Sequence, residues 1–280
     1  MQHRIGLIGH PVSHSKSPSL FQGFFIEEVS DQWSYSLWDL PDIHELNNIL
    51  QIPHLRGFNV TIPHKTTILP FLNYVASNAW DIQAVNTVIT IPNSNRYFQE
   101  LLKQLDRRNL SLVENTDPSY PLSPDRLLIG FNTDIFGFSQ SLNLITKPIH
   151  QAVILGNGGS AKAVRFCLES RKIPIEQYNR TPSSNPQVSE MEKLIQREPI
   201  PQTLWVNTTP LGMAPNIHAM PSLGSANIHA TDSLIDLIYN PEETLLMRFF
   251  NTHGNTTING WTMLNFQAKQ AWELFKIAAQ

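Results

Sequence analysis

The chain has 280 residues, with 20 Lys and Arg against 23 Asp and Glu and a formal net charge of −3; it carries no cationic stripe for a nucleic-acid backbone. Hydrophobic residues make up 41% and charged ones 15%, enough for one large or two ordinary cores, yet no apolar run reaches the length of a membrane span. The lone Cys167 excludes an intramolecular disulfide and a multi-cysteine metal site. Its apolar helical surroundings suit a buried small hydrophobe. The ten histidines form no H-E-x-x-H motif, so no metal is expected. The N-terminal apolar stretch is too short for a signal-peptide core, which predicts a cytoplasmic protein.

RIGLIG opens the chain as a short strand, and HPVSHSKSP follows as a polar, turn-rich loop. PSLFQGFFIEEV has helical spacing, SYSLWDL reads as a second strand, and PDIHELNNIL as a helix with Pro41 near its start. GFNVTIP is a third strand. Phe58, Val60 and Ile62 alternate on its apolar face, Asn59 and Thr61 lie on the other, and Lys65 follows two residues after Pro63. Polar groups at such a strand end fit either a solvated edge or a ligand site, since ligands of open α/β sheets gather beyond the carboxyl ends of strands. HKTTILPFLNYV begins another helix. The β-α-β-α-β-α order argues for a mostly parallel sheet with helices on its faces.

Around 93–128 the texture changes. One amphipathic helix is expected there, with Tyr97, Phe98, Leu101, Leu102 and Leu105 as its apolar side, followed by a polar tail holding Pro118, Pro121 and Pro124. The segment reads as a surface insertion. LLIGFNTDIFGFSQSL then runs from strand into helix, IEQYNR, TLWVNTTP, SLIDLIYNP and NTTING supply further strands, and NGWTMLNFQAKQAWELFKIA closes the chain as a long helix.

AVILGNGGSAKAV is the most informative local motif. Four apolar residues enter Gly156-Asn157-Gly158-Gly159, and Ser160 and Ala161 open a helix. Gly156 permits a tight turn, Gly158 lets backbone approach a pyrophosphate, and the helix N-terminus aims free N–H groups at the anion. About 20 residues on, an NAD-selective chain places a carboxylate for the ribose 2′-OH. Here the next strand ends in Asn179, Arg180 and Thr181. An arginine suits a 2′-phosphate, and the missing carboxylate removes repulsion; NADP is favoured, unless Arg180 is only a solvated loop residue.

Taken in order, GLIGHPVSHSKSP, GFNVTIPHK, AVNTV, GFNTD, GNGGSAKA, NRT, VNTTPLGM, DLIYNPEET and MLNFQ resemble the shikimate dehydrogenase family over nearly the whole length. The resemblance implies two α/β domains: a substrate domain of residues 1–133 plus 260–280, bearing the 93–128 insertion, and a Rossmann-like NADP-binding domain of residues 134–259. It implies that Ser15 and Ser17 bind the substrate carboxylate and that Asn59, Thr61 and Asn86 contact its ring, with Tyr239 and Gln267 adding further contacts. Lys65 and Asp134 match the catalytic pair. Met213 matches a residue near the nicotinamide, and Thr208 and Gly260 join the cofactor set. Read without the family, Ser15 and Ser17 are turn residues, Lys65 is a surface residue, Asp134 an N-cap for a helix from Ile135, and Met213 a core methionine.

The implied reaction is reversible reduction of 3-dehydroshikimate to shikimate by NADPH, a step of aromatic amino-acid biosynthesis, by a monomer or homodimer with no nucleic-acid or membrane partner. A quinate-oxidising relative using NAD(P), or a non-catalytic dinucleotide-binding protein, are the alternatives. Four positions depart from the family pattern. Ile135 and Gln83 stand where glycine is usual, Thr262 where a glycine usually lies against the cofactor, and Ser184 where a basic residue often assists phosphate binding.

Overall fold

The computed structural model describes residues 2–28, 32–108, 110–115, 125–180, 185–223 and 228–279. Pro118, Pro121, Pro124, Thr181 and Ser184 lie outside the described residues. The chain divides into two units, Met1–Thr133 with Gln267–Gln280, and Asp134–Phe266.

In the first unit the chain runs through β1 (His3–Gly9), α1 (Ser17–Glu27), β2 (Trp33–Asp39), α2 (Leu46–Leu50), β3 (Gly57–Val60), α3 (His64–Thr67), β4 (Tyr74–Ala76), α4 (Ser77–Asp81), β5 (Thr87–Pro92), α5 (Asn95–Asp106), β6 (Leu112–Glu114) and β7 (Arg126–Phe131). Among the described residues the sheet has the order β2-β1-β3-β5-β7-β4-β6. Pairing is parallel across β2-β1-β3, antiparallel through β5 into β7, and parallel again between β7 and β4. The carboxyl ends of β1, β3 and β7 and the amino end of β5 therefore share one edge of the layer. All four residues of β3 are buried, as expected for a strand covered on both faces.

The 93–128 segment contributes more than decoration. Leu101 and Leu105 of α5 are buried in the first core, with Phe98 packed against it, and β6 adds an antiparallel partner to β4. Tyr97, expected on the apolar side, is instead 48% exposed.

The second unit begins inside α6 (Thr133–Leu142) and continues through β8 (Gln151–Leu155), α7 (Gly159–Ser170), β9 (Ile175–Asn179), β10 (Val188–Glu190), β11 (Thr203–Asn207), β12 (Ser233–Asp236), α8 (Leu245–Thr252) and β13 (Thr256–Ile258). Its strands lie in the order β10-β9-β8-β11-β12-β13 and every pairing is parallel. Successive residues of β8 serve opposite faces: Ala152 and Ile154 enter one core, Val153 and Leu155 the other. Such a sheet reads as an uninterrupted apolar run because neither face meets water. The strand order reverses between β8 and β11, which makes the crevice beyond their carboxyl ends the topological switch point. Cys167 is buried against this core and donates to the Ile135 carbonyl; burial pushes its thiol up to about 12.

The closing helix, α9 (Trp261–Ala279), changes units part-way along. Met263 packs in the second unit's core, whereas Ala268, Ala271, Trp272 and Phe275 pack in the first. The first unit resumes at Gln267, within the helix. Trp272 Nε1 and Lys276 Nζ both donate to Glu28 at the end of α1, at 2.8 and 2.7 Å, and tie the last helix to the first.

Candidate active site

The carboxyl edge of the first sheet carries a connected array of polar side chains. Asn59 of β3 lies in register with Leu7 on one side and Thr87 on the other. Its amide is only 6% exposed, so it must find partners inside the protein. Tyr35 Oη on β2 donates to Asn59 Oδ1 at 2.9 Å, and Asn59 Nδ2 donates to Thr87 Oγ1 at 3.1 Å. Thr87 Oγ1 donates in turn to Asn86 Oδ1 at 3.1 Å, which also accepts the Thr133 N–H at 2.7 Å. Thr133 Oγ1 lies 3.2 Å from both Asn86 Oδ1 and Gln267 Oε1 and donates to one at a time.

Ser15 and Ser17 stand at the other end of the array. Ser15 Oγ donates to Ser17 Oγ at 3.2 Å and accepts the Ser17 N–H at the same distance. Ser17 bonds to Tyr35, whose phenol is held well above its ordinary pKa by burial, with that bond pulling weakly the other way. Thr61 follows β3 and is fixed through its N–H to the Ile8 carbonyl at 2.9 Å. Six of the residues proposed from sequence (Ser15, Ser17, Asn59, Thr61, Asn86 and Gln267) thus fall in this one unit, and all but Thr61 enter the hydrogen-bonded array through their side chains.

Lys65 is carried by α3 just beyond Thr61. The short helix has no strength of its own, since so few residues cannot repay nucleation. It is held from outside. His64 is 3% exposed and its Nε2 donates to the Leu40 carbonyl; the Lys65 carbonyl accepts the Val85 N–H at 2.8 Å. These two bonds fix the backbone from which the ammonium projects. Gln83, two residues before Val85, has φ 52°, in the left-handed region that costs glycine nothing. Its side chain offsets part of that cost by donating from Nε2 to the Trp80 carbonyl at 2.7 Å.

Asp134 opens the second unit and is 6% exposed. Helix α6 starts at Thr133, so Asp134 occupies its first turn and is not an N-cap. A carboxylate there still meets the positive end of the helix dipole. Ile135 packs its side chain against the second unit's core, a contact that glycine cannot make. Tyr239 also belongs to this unit, with its ring 6.3 Å from that of Trp261.

The glycine turn sits at the switch point. Gly156 has φ +113°, and a Cβ there would collide with Thr208 Oγ1, which bonds to the Leu155 carbonyl at 2.7 Å. Gly156 is further fixed by its N–H to the Tyr178 carbonyl and by Gln177 Nε2 on its own carbonyl, each 2.7 Å. Gln177 Nε2 also reaches Asn157 Oδ1 at 3.3 Å. Gly158 differs: a Cβ there would meet nothing within 4 Å, so the space above it is open. Helix α7 starts at Gly159, with Ser160 and buried Ala161 in its first turn, and the N–H groups of a first turn lie at the positive end of the helix dipole. Burial holds the nearby Lys162 ammonium below the usual lysine range. Asn179 ends β9 and Arg180 follows, exposed. Met213 is 36% exposed, more open than a core methionine, and Thr262 is half-buried in the first turn of α9. Gly260 is a close-approach glycine whose Cβ would strike the Leu237 carbonyl. These features fit a dinucleotide: an open backbone surface, a helix N-terminus and a cation at the end of the neighbouring strand.

Five contributors escape sequence reasoning. Tyr35 reads as an ordinary strand aromatic, and His64 as a surface histidine. Thr87 and Thr133 sit inside AVNTV and GFNTD, motifs in which their neighbours draw the eye. Asp236, at the end of β12, is fully buried and accepts from Thr244 Oγ1, Asn207 Nδ2 and the Ile238 N–H at 2.6, 2.9 and 3.1 Å. Burial raises its pKa, and the three bonds draw it back.

Residues 7–88 match the model of the shikimate dehydrogenase substrate binding domain. A shikimate dehydrogenase (NADP(+)) of Caldanaerobacter subterraneus is 31% identical, across 96% of this chain and 90% of its own. One from a Synechococcus species is 32% identical, across 97% and 88%. Among solved structures, the shikimate 5-dehydrogenase of Thermus thermophilus in complex with NADP(H) and shikimate is 27% identical and superimposes with a TM-score of 0.74, across 98% of this chain and 93% of that one. With its glycine turn at a switch point and its polar strand edge, the chain belongs to the shikimate dehydrogenase family.

Proposed function

We propose that the chain catalyses the reversible reduction of 3-dehydroshikimate to shikimate with NADPH, as a cytoplasmic enzyme. The observation that carries this reading is the array from Ser15 to Gln267, which gathers hydroxyl and amide groups at one sheet edge beside Lys65. A polyhydroxylated ring acid needs such groups. Ser15 and Ser17 donate to the carboxylate; each bond to an ionised acceptor contributes roughly 1.5–3 kcal/mol. Asn59, Thr61, Asn86 and Gln267 are assigned to the ring hydroxyls, and Tyr239 to the same substrate, as the family resemblance implies.

NADPH, when bound, supplies the hydride. Gly156 to Ala161 would hold its pyrophosphate, Asn179, Arg180 and Thr181 its 2′-phosphate, and Thr208, Met213 and Gly260 its nicotinamide end. Lys65 as an ammonium stabilises the negative charge growing on the carbonyl oxygen and delivers the proton that makes it a hydroxyl. Asp134 is assigned as the second member of the catalytic pair that the family resemblance implies. General acid catalysis of this kind is worth about 10²–10⁴ in rate.

The test is an absorbance assay pairing shikimate or quinate with NADP⁺ or NAD⁺. The reading expects shikimate with NADP⁺ to turn over fastest. Faster turnover of quinate, or none with any pair, would reject it.

A further inference from the structure

Arg56 immediately precedes β3 and so lies at the opposite edge of the first sheet from Asn59 and Lys65. Around it is a cavity of about 290 Å³, lined by Arg56, Ile91, Arg96, Tyr97, Leu101 and Ile277. Three elements build it: the end of β5, one face of α5 and the last turn of α9. None of them carries a group assigned to the reaction there. The α5 wall comes from the 93–128 segment.

Two guanidinium groups, those of Arg56 and Arg96, line the cavity, and among the described residues one carboxylate, that of Glu100, lines it with them. Arg56 is half-buried and its Nε donates to His3 Nδ1 at 3.0 Å, an uncharged partner. Arg126 lies close enough to depress the Arg56 pKa, after burial itself, and spends its Nη1 on the Leu55 carbonyl at 3.0 Å. Among the described residues no carboxylate lies within ion-pair distance of Arg56, Arg96 or Arg126; Glu100, on the same rim, pairs with Lys103 at 3.6 Å. Guanidinium groups left with spare donors in a concave site match a carboxylate, whose two oxygens take the planar fork. The remaining wall is apolar, from Ile91, Leu101 and Ile277, and the volume sits at the small end of ligand cavities.

We propose that this cavity binds a small organic carboxylate with an apolar body, its head group on Arg56 and Arg96 and its body against Ile91, Leu101 and Ile277. The site is separate from the reaction edge and its occupancy does not depend on the proposed activity.

Calorimetric titration of the full chain with 3-phenylpropionate tests it, with 3-phenylpropanol and inorganic phosphate as controls at constant chloride. Saturable binding of the acid is expected, with the alcohol and phosphate each weaker by about tenfold or more. Arg96 is exposed on α5, so Arg96→Gln keeps the fold; it should weaken the acid by about tenfold or more while leaving the melting temperature and shikimate turnover unchanged. The proposal is overturned if the acid shows no saturable binding at millimolar concentration, or if acid and alcohol bind alike. It is equally overturned if phosphate matches the acid, or if Arg96→Gln binds the acid as the parent does.

Discussion

On the proposed reading, the two units recognise their ligands by opposite means. In the first, a sheet edge is furnished with side chains: Ser15, Ser17, Tyr35, Asn59, Asn86, Thr87, Thr133 and Gln267 hold one another in fixed directions. In the second, the edge is furnished with backbone and empty space, from the bend at Gly156 through the open position of Gly158 to the start of α7. The proposed specificity of the first surface rests on polar groups that hold one another in place, so that a ligand must fit their pattern. The second is intolerant of a Cβ at Gly156 and leaves open space at Gly158. Substitutions that are conservative in one unit are therefore severe in the other.

The largest effect expected from this contrast is at Lys65. Lys65→Ala removes the proton donor and should lower kcat by about 10²–10⁴, while NADPH affinity, a property of the second unit, stays at the parental value by fluorescence titration. A variant keeping more than about a tenth of the rate would take Lys65 out of the chemistry. Gly156→Ala, by comparison, adds one methyl group to a residue at φ +113° facing Thr208 Oγ1. It should cost about 1–3 kcal/mol in urea denaturation and weaken NADPH, whereas Gly158→Ala should leave stability within about 1 kcal/mol and weaken NADPH alone.

Tyr35→Phe probes the first unit's internal order. It strips the donor from Asn59 Oδ1, an acceptor with little access to water, and should cost about 1–2 kcal/mol. It should also raise the KM for shikimate with kcat little changed, because the disturbed amide belongs to binding. An unchanged KM would remove Tyr35 from the set of positioning residues. The smallest effect concerns His3, whose ring is held below its ordinary value of 6.5 by burial and then by the Arg56 cation. The unfolded chain then binds this proton more readily than the folded one. The contribution is present above pH 6.5 and is lost as acidification passes the lowered folded value; urea midpoints should fall across that range, less steeply in His3→Gln.

How much of this was legible in the sequence follows the same division. The Gly156 turn could be read directly because its demands are local: an apolar strand, a residue with positive φ and a helix start, all within a dozen positions. The array of the first unit is non-local. Asn59 meets Thr87 through strand register, and Thr133 meets Gln267 across 134 positions of sequence; neither pairing leaves a periodic trace. Motifs supplied Asn59 and Asn86 through family resemblance, but not Tyr35, whose hydroxyl matters only once β2 lies beside β1. Gln83 shows a related limit. The departure from glycine was visible, and its meaning, a left-handed backbone, was not. The return point at Gln267 was hidden for another reason: α9 is one unbroken helix, and nothing in its spacing marks where one core hands over to the other.

The division of labour between the units is tested most directly by titrating shikimate and NADPH separately into Ser15→Ala and Arg180→Ala. A crossed result is predicted: Ser15→Ala weakens shikimate by about tenfold or more and spares NADPH, and Arg180→Ala weakens NADPH by a similar factor, far more than NADH, and spares shikimate. Equal weakening of both ligands by either variant, or parental binding of shikimate by Ser15→Ala, would contradict it.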